Sequence, residues 1–313
     1  MHILILGAAG MLGRKLISGI ARTGRVAGEK VDRLTLVDVA DFSIGPLHGI
    51  EVDCLRAGLE DSRLVWLKPD LIFHLAAVVS GQAETAFDLG YAVNLRAPWT
   101  LLDAFAAQGN APRFVFASSL AVYGAPFPEL VPEDFAARPQ SSYGTQKLIF
   151  ETLLADYTRK GLLRGISLRL PTVTIRPGVA NAAASSFLSA ILREPLDGQP
   201  AILPVPRNTR VWIAPPSVAV RGLLHAATLA GLPETHVAIN LPGTATDVAA
   251  MLDALEAQAG RAALDLITEV PDRRIQDIVA SWPGAFATER ATALGFGKSV
   301  GLGEIIGEYL AGR

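Results

Sequence analysis

Short apolar runs recur through the first 170 residues, separated by longer stretches whose apolar positions fall three and four apart. The runs are HILIL (2–6), RLTLVD (33–38), GIEVD (49–53), DLIFHLA (70–76), RFVFAS (113–118) and GISLRL (165–170). They are rich in Ile, Leu, Val and Phe, as strands of a parallel sheet covered on both faces should be. The stretches at 11–22, 88–108 and 143–160 carry helical periodicity. Pro98 interrupts the second, where it either kinks a helix or marks a first turn. Strand–helix alternation over this length predicts an α/β fold, a Rossmann-type doubly wound parallel sheet, over residues 1–170.

After Leu170 the pattern loosens. Prolines fall at 171, 177, 195, 200, 204, 206, 215 and 216, and the periodic pieces shorten. Helices are expected at 216–230, 246–259 and 286–294. Residues 171–313 therefore read as a smaller C-terminal substrate-binding lobe on the sheet's C-terminal edge, with the chain free to cross back between the lobes.

Composition narrows the function. Half of the 313 residues are hydrophobic and 19% are charged, an ordinary globular balance. The net charge is −2 with no basic run, which argues against a nucleic-acid partner. The one cysteine, Cys54, excludes an internal disulfide and fits a reducing cytoplasm. The N-terminal apolar run is short and its charges come after it, so it reads as a strand and not as a signal peptide. No run approaches the ~20 apolar residues of a membrane span. No His/Asp/Glu cluster has metal-ligand spacing, and no metal is expected.

The candidate chemistry starts at GAAGMLG, between the first strand and the first helix. Gly7 suits a tight turn, Gly10 lets backbone approach a pyrophosphate, and Gly13 lets the helix pack closely on the sheet. The free N–H groups of the helix start, with Met11 and Leu12, would face that pyrophosphate. The spacing is G-x-x-G-x-x-G, so the mechanism of the dinucleotide fingerprint applies although its usual spacing does not. Asp38 ends the second run. A carboxylate there can accept both adenosine ribose hydroxyls and repels a 2′-phosphate, which favours NAD over NADP. Asp53 ends the third run beside Cys54; it either meets the adenine amino group or is a plain turn aspartate.

SSYGTQK (141–147) then becomes informative. Tyr143 is a phenol with a reference pKa of ~10. Lys147 lies one helical turn on, on the same face. Its ammonium and the positive nicotinamide of NAD⁺ would both favour phenolate, making Tyr143 a usable general base. Lys147 could also hold the nicotinamide ribose. Upstream, Ser118 and Ser119 follow a strand that should end beside the cofactor, where a hydroxyl can orient the reacting oxygen.

With these motifs in this order, the chain resembles the extended short-chain dehydrogenase/reductase family, which includes nucleotide-sugar epimerases and dehydratases. The resemblance spans essentially the whole chain through GAAGMLG, LVD (36–38), HLAA (74–77), Asn94 in YAVN, SSLAVYG and YGTQK. It implies Ser119 as the catalytic serine, Tyr143 as the base and Lys147 as its support. It implies cofactor contacts from Leu75, Ala76 and Ala77, and from Pro171 and Val173 at the nicotinamide. Asn94 falls where the family keeps an asparagine facing the site, although a buried helix asparagine holding a backbone kink reads equally well. Within the family, HLAAVVSGQAETAFDLGYAVNL, AVYGAPFP, LRLPTVTIRPG, NAAASSF, REPLDGQ and LPVP resemble the D-erythronate dehydrogenase branch. That branch implies NAD-dependent oxidation of a four-carbon sugar acid at C2, and a homodimer formed through the helices at 88–108 and 143–160. Epimerases usually carry a Phe-Asn pair after the sixth strand, where this chain reads LRLPTVTIRPG.

A small hydroxy acid needs a cation for its carboxylate and donors for its hydroxyls. Arg176 and Arg210 are the candidate clamps, through a bidentate guanidinium. Ser80, Asn181, Ser185 and Ser186 are candidate hydroxyl contacts. His74 is expected to pack under the cofactor without titrating, and His225 to be a core histidine. Two other readings stay open. A nucleotide-sugar 4-epimerase would need Arg193, Arg207 and Arg210 for a diphosphate. A dinucleotide-binding regulatory protein would need no working Ser119–Tyr143–Lys147 set.

Overall fold

The structure, a computed structural model, describes residues 1–178, 185–229 and 238–312. Six strands run parallel in the order 3-2-1-4-5-6: β1 (His2–Leu6), β2 (Arg33–Asp38), β3 (Glu51–Arg56), β4 (Leu71–His74), β5 (Arg113–Ser119) and β6 (Arg164–Leu170). This is the doubly wound order in which ligands bind beyond the carboxyl ends of the strands.

The two faces of β1 show why its residues are apolar throughout. Ile3 and Ile5 point to a layer holding α1 (Met11–Thr23), whose Leu16, Ile17 and Ile20 they pack with. Leu4 and Leu6 point the other way, to Leu101, Leu102 and Phe105 of α4 (Ala97–Ala107) and to Phe150 and Leu154 of α5 (Ser142–Arg159). Between β4 and α4 lie α2 (Ser80–Thr85) and α3 (Phe87–Tyr91).

Two expectations need correction here. The stretch 88–108 is not one helix. A single turn of π-helix, Ala92–Arg96, separates α3 from α4 and puts Pro98 in the first turn of α4. Proline has no N–H to donate back and its ring crowds the preceding turn, so the helix opens ahead of it. The third strand runs on to Arg56, so Asp53 lies within it and not at its end. This strand is the sheet edge, where one face meets solvent, and its polar residues hid its length.

The later residues build a second core. β7 (Thr172–Val173) and β9 (Arg210–Ala214) pair in parallel, and β8 (Ala201–Leu203) lies elsewhere, paired with a later strand. α6 (Ser186–Leu196) contributes Leu188, Ile191 and Leu192 to this core. The chain then recrosses. α7 (Pro216–Ala226) packs on α1 through Val220 and Leu223, and β10 (Ala238–Asn240) joins the main sheet beside β6 as its seventh strand. β11 (Thr244–Asp247), α8 (Val248–Ala259), β12 (Ile267–Glu269) and α9 (Arg273–Ala280) return to the second core. Among the described residues no helix is long and apolar enough to cross a membrane.

Candidate active site

The glycine loop is held by its neighbours. Gly7 has φ +92°, and a Cβ on it would lie 2.6 Å from the Ala76 nitrogen. A Cβ on Gly13 would lie 2.4 Å from the Gly7 oxygen, so the first helical turn sits tightly on the loop. Gly10 differs: its Cβ would meet nothing nearer than 3.4 Å. The protein itself leaves that side open, as an approaching pyrophosphate requires. Gly10 caps α1 without a side-chain acceptor, which leaves backbone donors for an anion. Asp38 stands over the loop, accepting the Ala9 N–H at 2.9 Å and the Ala40 N–H at 3.0 Å. A carboxylate has about four acceptor positions, so capacity for ribose hydroxyls remains. The loop and Asp38 therefore fit a dinucleotide.

Beyond the strand ends lies a cleft of about 600 Å³. Met11 and Leu12 enter it from α1, Leu75 and Ala77 from the turn after β4, and Pro171 and Val173 from the segment after β6. Ser119, Tyr143 and Lys147 line it together, with Ser80, Arg176 and Ser185. Ser118 and Ser119 have different environments. Ser118 is 3% exposed and its hydroxyl donates to the Glu151 carboxylate. The Ser119 oxygen accepts the Ala121 N–H at 3.1 Å and its hydroxyl proton is left for the cleft.

Tyr143 and Lys147 come together because α5 begins at the cleft. Ser141 caps it by accepting the Gly144 N–H, and Gly144 must lack a side chain because a Cβ would sit 1.9 Å from the Ala121 oxygen. The Lys147 Nζ donates to the Ala117 carbonyl at 2.9 Å and lies 4.6 Å from the centre of the Phe116 ring and 5.5 Å from that of Tyr143. Burial lowers its pKa to about 7, against the pull of Glu151, which raises it. Burial pushes the Tyr143 phenol up to about 12. The expectation that Lys147 would lower the Tyr143 pKa is thus not met by the chain alone. Desolvation of the phenol is the cause of its shift, and the Lys147 Nζ is engaged by the Ala117 carbonyl.

His74 sits beneath, buried, stacked on Phe116 at 5.4 Å with Phe114 and Phe150 edge-on. Its Nδ1 has no hydrogen-bond partner among the described residues. Burial, helped by the Lys147 charge, drives its pKa down to about 3 from an ordinary 6.5. With the folded value below the unfolded one, stability is complete above pH 6.5 and is lost as pH falls toward 3. At pH 5 the unfolded chain holds a proton the folded chain refuses, a loss of about 2 kcal/mol set almost wholly by the unfolded value. His74→Phe is expected to remove this loss: denaturant midpoints at pH 5 and pH 7.5 should differ less in the variant than in the wild type. An equal difference in both would disprove it.

Other predicted residues lie elsewhere. Asn94 is 2% exposed and its amide is spent on protein. It accepts the Val78 N–H at 2.7 Å and donates to the Val78 carbonyl at 3.0 Å and to Gln146 at 2.7 Å. It therefore clamps the turn after β4 to α5 and makes no direct approach to the cleft. Asp53 pairs with Arg33 at 2.6 Å, at strand positions set back from Asp38, and Cys54 is exposed on the edge strand. Arg210 does not line the cleft; it is half exposed, 3.9 Å from Glu129. Asn181 lies outside the described residues. His225 is half-buried, 2.8 Å from the Leu294 carbonyl and edge-on to Phe296, as a packed histidine would be.

Among the described residues two guanidiniums line the cleft: Arg274 and, of the two predicted carboxylate clamps, Arg176. Its guanidinium reaches only Ser185, at 3.4 Å, and no carboxylate pairs with it among the described residues. Burial, with Arg193 nearby, lowers its pKa. Arg193 itself donates to the Arg176 carbonyl and pairs with Glu194, and Arg207 pairs with Glu269. Neither lines the cleft, so the three arginines a diphosphate would need are not gathered there. Sequence reading missed Trp212 of β9, and Arg274, Asp277 and Trp282 on and after α9, all of which line the cleft. Residues 273–282 carried no assignment in the sequence reading, and α9 reaches the cleft through the packing of Ile275 and Val279 in the second core.

A model of the NAD dependent epimerase/dehydratase family matches residues 3–230. A D-erythronate dehydrogenase of Cupriavidus necator is 44% identical over 322 residues, covering 99% of this chain and 98% of its own. One from Haemophilus influenzae is 40% identical over 315 residues, covering 99% of each. A solved structure described as the nucleoside-diphosphate-sugar epimerase from Agrobacterium tumefaciens superposes with a TM-score of 0.93 at 43% identity, over 100% of this chain and 95% of that one. A family model over most of the chain, together with full-length relatives on this scale, shows that the chain belongs to the NAD-dependent epimerase/dehydratase family.

Proposed function

We propose that this NAD-dependent oxidoreductase oxidises a small sugar acid at C2, with D-erythronate as substrate and 2-oxo-D-erythronate as product. The observation that carries this reading is Arg176: a half-buried guanidinium, with no carboxylate partner among the described residues, lining the cleft shared by Ser119 and Tyr143. An anionic substrate end is what such a cation lacks. The full-length relatives named for D-erythronate support it.

In this reading Arg176 holds the carboxylate. Ser119 donates its hydroxyl hydrogen bond to the C2 oxygen, and Tyr143 accepts the C2 hydroxyl proton. Bound NAD⁺, held by the Gly7–Gly13 loop and Asp38, would supply the hydride acceptor and a positive charge beside the phenol. Lys147, held by the Ala117 carbonyl, would keep its ammonium toward the ribose and Tyr143. Trp212 and Trp282 add apolar wall to the cleft. The test is absorbance at 340 nm with protein, NAD⁺ and four- to six-carbon aldonic acids. NADH should appear with D-erythronate. A flat trace across the panel, with interconversion of UDP-sugars instead, would replace this reading by the 4-epimerase.

A homodimer is part of the same proposal. Phe87 and Leu89 of α3 and Trp99 of α4 are large apolar side chains left exposed on the outer helical layer. A second copy packed on that layer would remove them from water. Analytical ultracentrifugation should give about twice the mass of one chain. Trp99→Glu should shift it to monomer, and a wild-type monomer would remove the proposal.

A further inference from the structure

The Glu151 carboxylate lies one helical turn beyond Lys147 on the same face of α5, and the residue is 3% exposed. Two residues supply it with three donor atoms. The Ser118 hydroxyl donates to one oxygen. Arg169 donates from Nε to both oxygens at 3.1 Å and from Nη2 at 2.7 Å. Ser118 and Arg169 are opposite each other in the register of β5 and β6. The next residues along, Ser119 and Leu170, line the cleft. Arg169 continues the connection, donating to the Tyr123 hydroxyl at 2.6 Å, which donates to Asn240 of β10 at 2.9 Å.

We propose that Glu151 is a positioning residue for this site: its carboxylate ties the helix bearing Tyr143 and Lys147 to the two strands bearing Ser119 and Leu170, and so sets the spacing of the reacting groups across the cleft. The inference rests on the reading of Ser119, Tyr143 and Lys147 as those groups.

Two physical arguments support it. First, a carboxylate with three donors on two different strands has little freedom, and neither does the helix it belongs to. The Lys147 ammonium donates to Ala117, the residue before Ser118, so both ends of the tie meet the same stretch of β5. Second, Glu151 is the acidic group acting on Lys147. The titratable groups acting on or facing Lys147 are Tyr143 and Glu151 from its own helix and His74 from β4, while Arg169 from β6 meets Glu151. Burial would lower the Arg169 pKa, yet Glu151 beside it holds it above the ordinary value. The Glu151 carboxylate, paired with Arg169 at 2.7 Å, thus also pulls Lys147 toward its charged form, against burial.

The test uses the NAD⁺-loaded enzyme and D-erythronate, with the single-turnover rate of NADH formation followed from pH 6 to 10. Ser118→Ala removes one arm and keeps the ion pair. It should lower that rate about five- to tenfold, with KM for NAD⁺ unchanged within twofold. Glu151→Gln removes the anion, so Lys147 loses its proton at lower pH. The alkaline fall of the profile should move down by about one pH unit, and Glu151→Asp should restore most of it. A purely structural role would lower yield or Tm and leave the profile of the folded enzyme in place. Ser118→Ala within twofold of wild type, or a Glu151→Gln profile superimposed on wild type, would overturn the proposal. Should Glu151→Gln not fold, Ser118→Ala decides alone. Tyr143→Phe, run alongside, separates the two readings: if it turns over normally, the assignment of the reacting groups is wrong, and with it the basis of this inference.

Discussion

Tyr143→Phe is expected to lower kcat for D-erythronate oxidation about 10³-fold while leaving NAD⁺ affinity within a few-fold of wild type. General-base transfer by a positioned side chain is worth roughly 10²–10⁴-fold, and the phenol is the group of the cleft placed for it. The side chain is partly buried in the cleft wall, and among the described residues nothing hydrogen-bonds its hydroxyl. Removing the oxygen should therefore cost no stability, and an unchanged or higher Tm would show that the loss is chemical. The pH dependence has a defined sign. Burial holds the phenol protonated well above neutrality, with a pKa of about 12 in the chain alone. The bound cofactor's charge and Lys147 act in the opposite direction. Oxidation by the wild type should accelerate as pH rises from 6, and Tyr143→Phe should lose that rise along with its rate. A variant that kept both would show that another group takes the proton.

The second large effect concerns Arg176. Arg176→Gln is expected to raise KM for D-erythronate by about 100-fold with KM for NAD⁺ unchanged. Charge-assisted bidentate hydrogen bonds to a carboxylate contribute on the order of 3 kcal/mol, and 1.4 kcal/mol is tenfold in affinity. No internal ion pair is broken, because no carboxylate of the described residues faces this guanidinium. Stability should hold or rise as a half-buried cation is lost. Arg176→Lys should rescue poorly, since a point charge cannot reproduce the fork. Arg210→Gln serves as the contrast: it lies outside the cleft and should change KM for D-erythronate by less than twofold. The reverse pattern would move the carboxylate to another cation, with Arg274 at the cleft the next candidate.

Much of this site was legible in sequence because it is built from local constraints. A tight turn, a close helix start and one helical turn between Tyr143 and Lys147 each fix neighbours within a few residues. Gly7, Gly13 and the Ser119–Tyr143–Lys147 set therefore appear where the patterns put them. What depended on long-range packing was not legible. Asn94 bonds across 16 residues to Val78 and across 52 to Gln146, and only the fold shows that its amide is spent. Asp53 was read as a strand end because an edge strand mixes polar and apolar residues; the pairing register carries the strand three residues further. β10 is three residues long and is a strand only through its pairing with β6. The α9 wall of the cleft has no sequence signature at all. The choice between Ser118 and Ser119 came from family resemblance, and the structure supplies a physical reason, because Glu151 occupies Ser118.

D-Erythronate labelled with deuterium at C2 tests the central claim most directly. Hydride removal from C2 requires that the label pass to the cofactor and that the product be the 2-oxo acid, one NADH per acid consumed. The account expects mono-deuterated NADH, a primary isotope effect of about two or more on the single-turnover rate, and no label left on the product. Unlabelled NADH from labelled acid would place the oxidation at another carbon and contradict it.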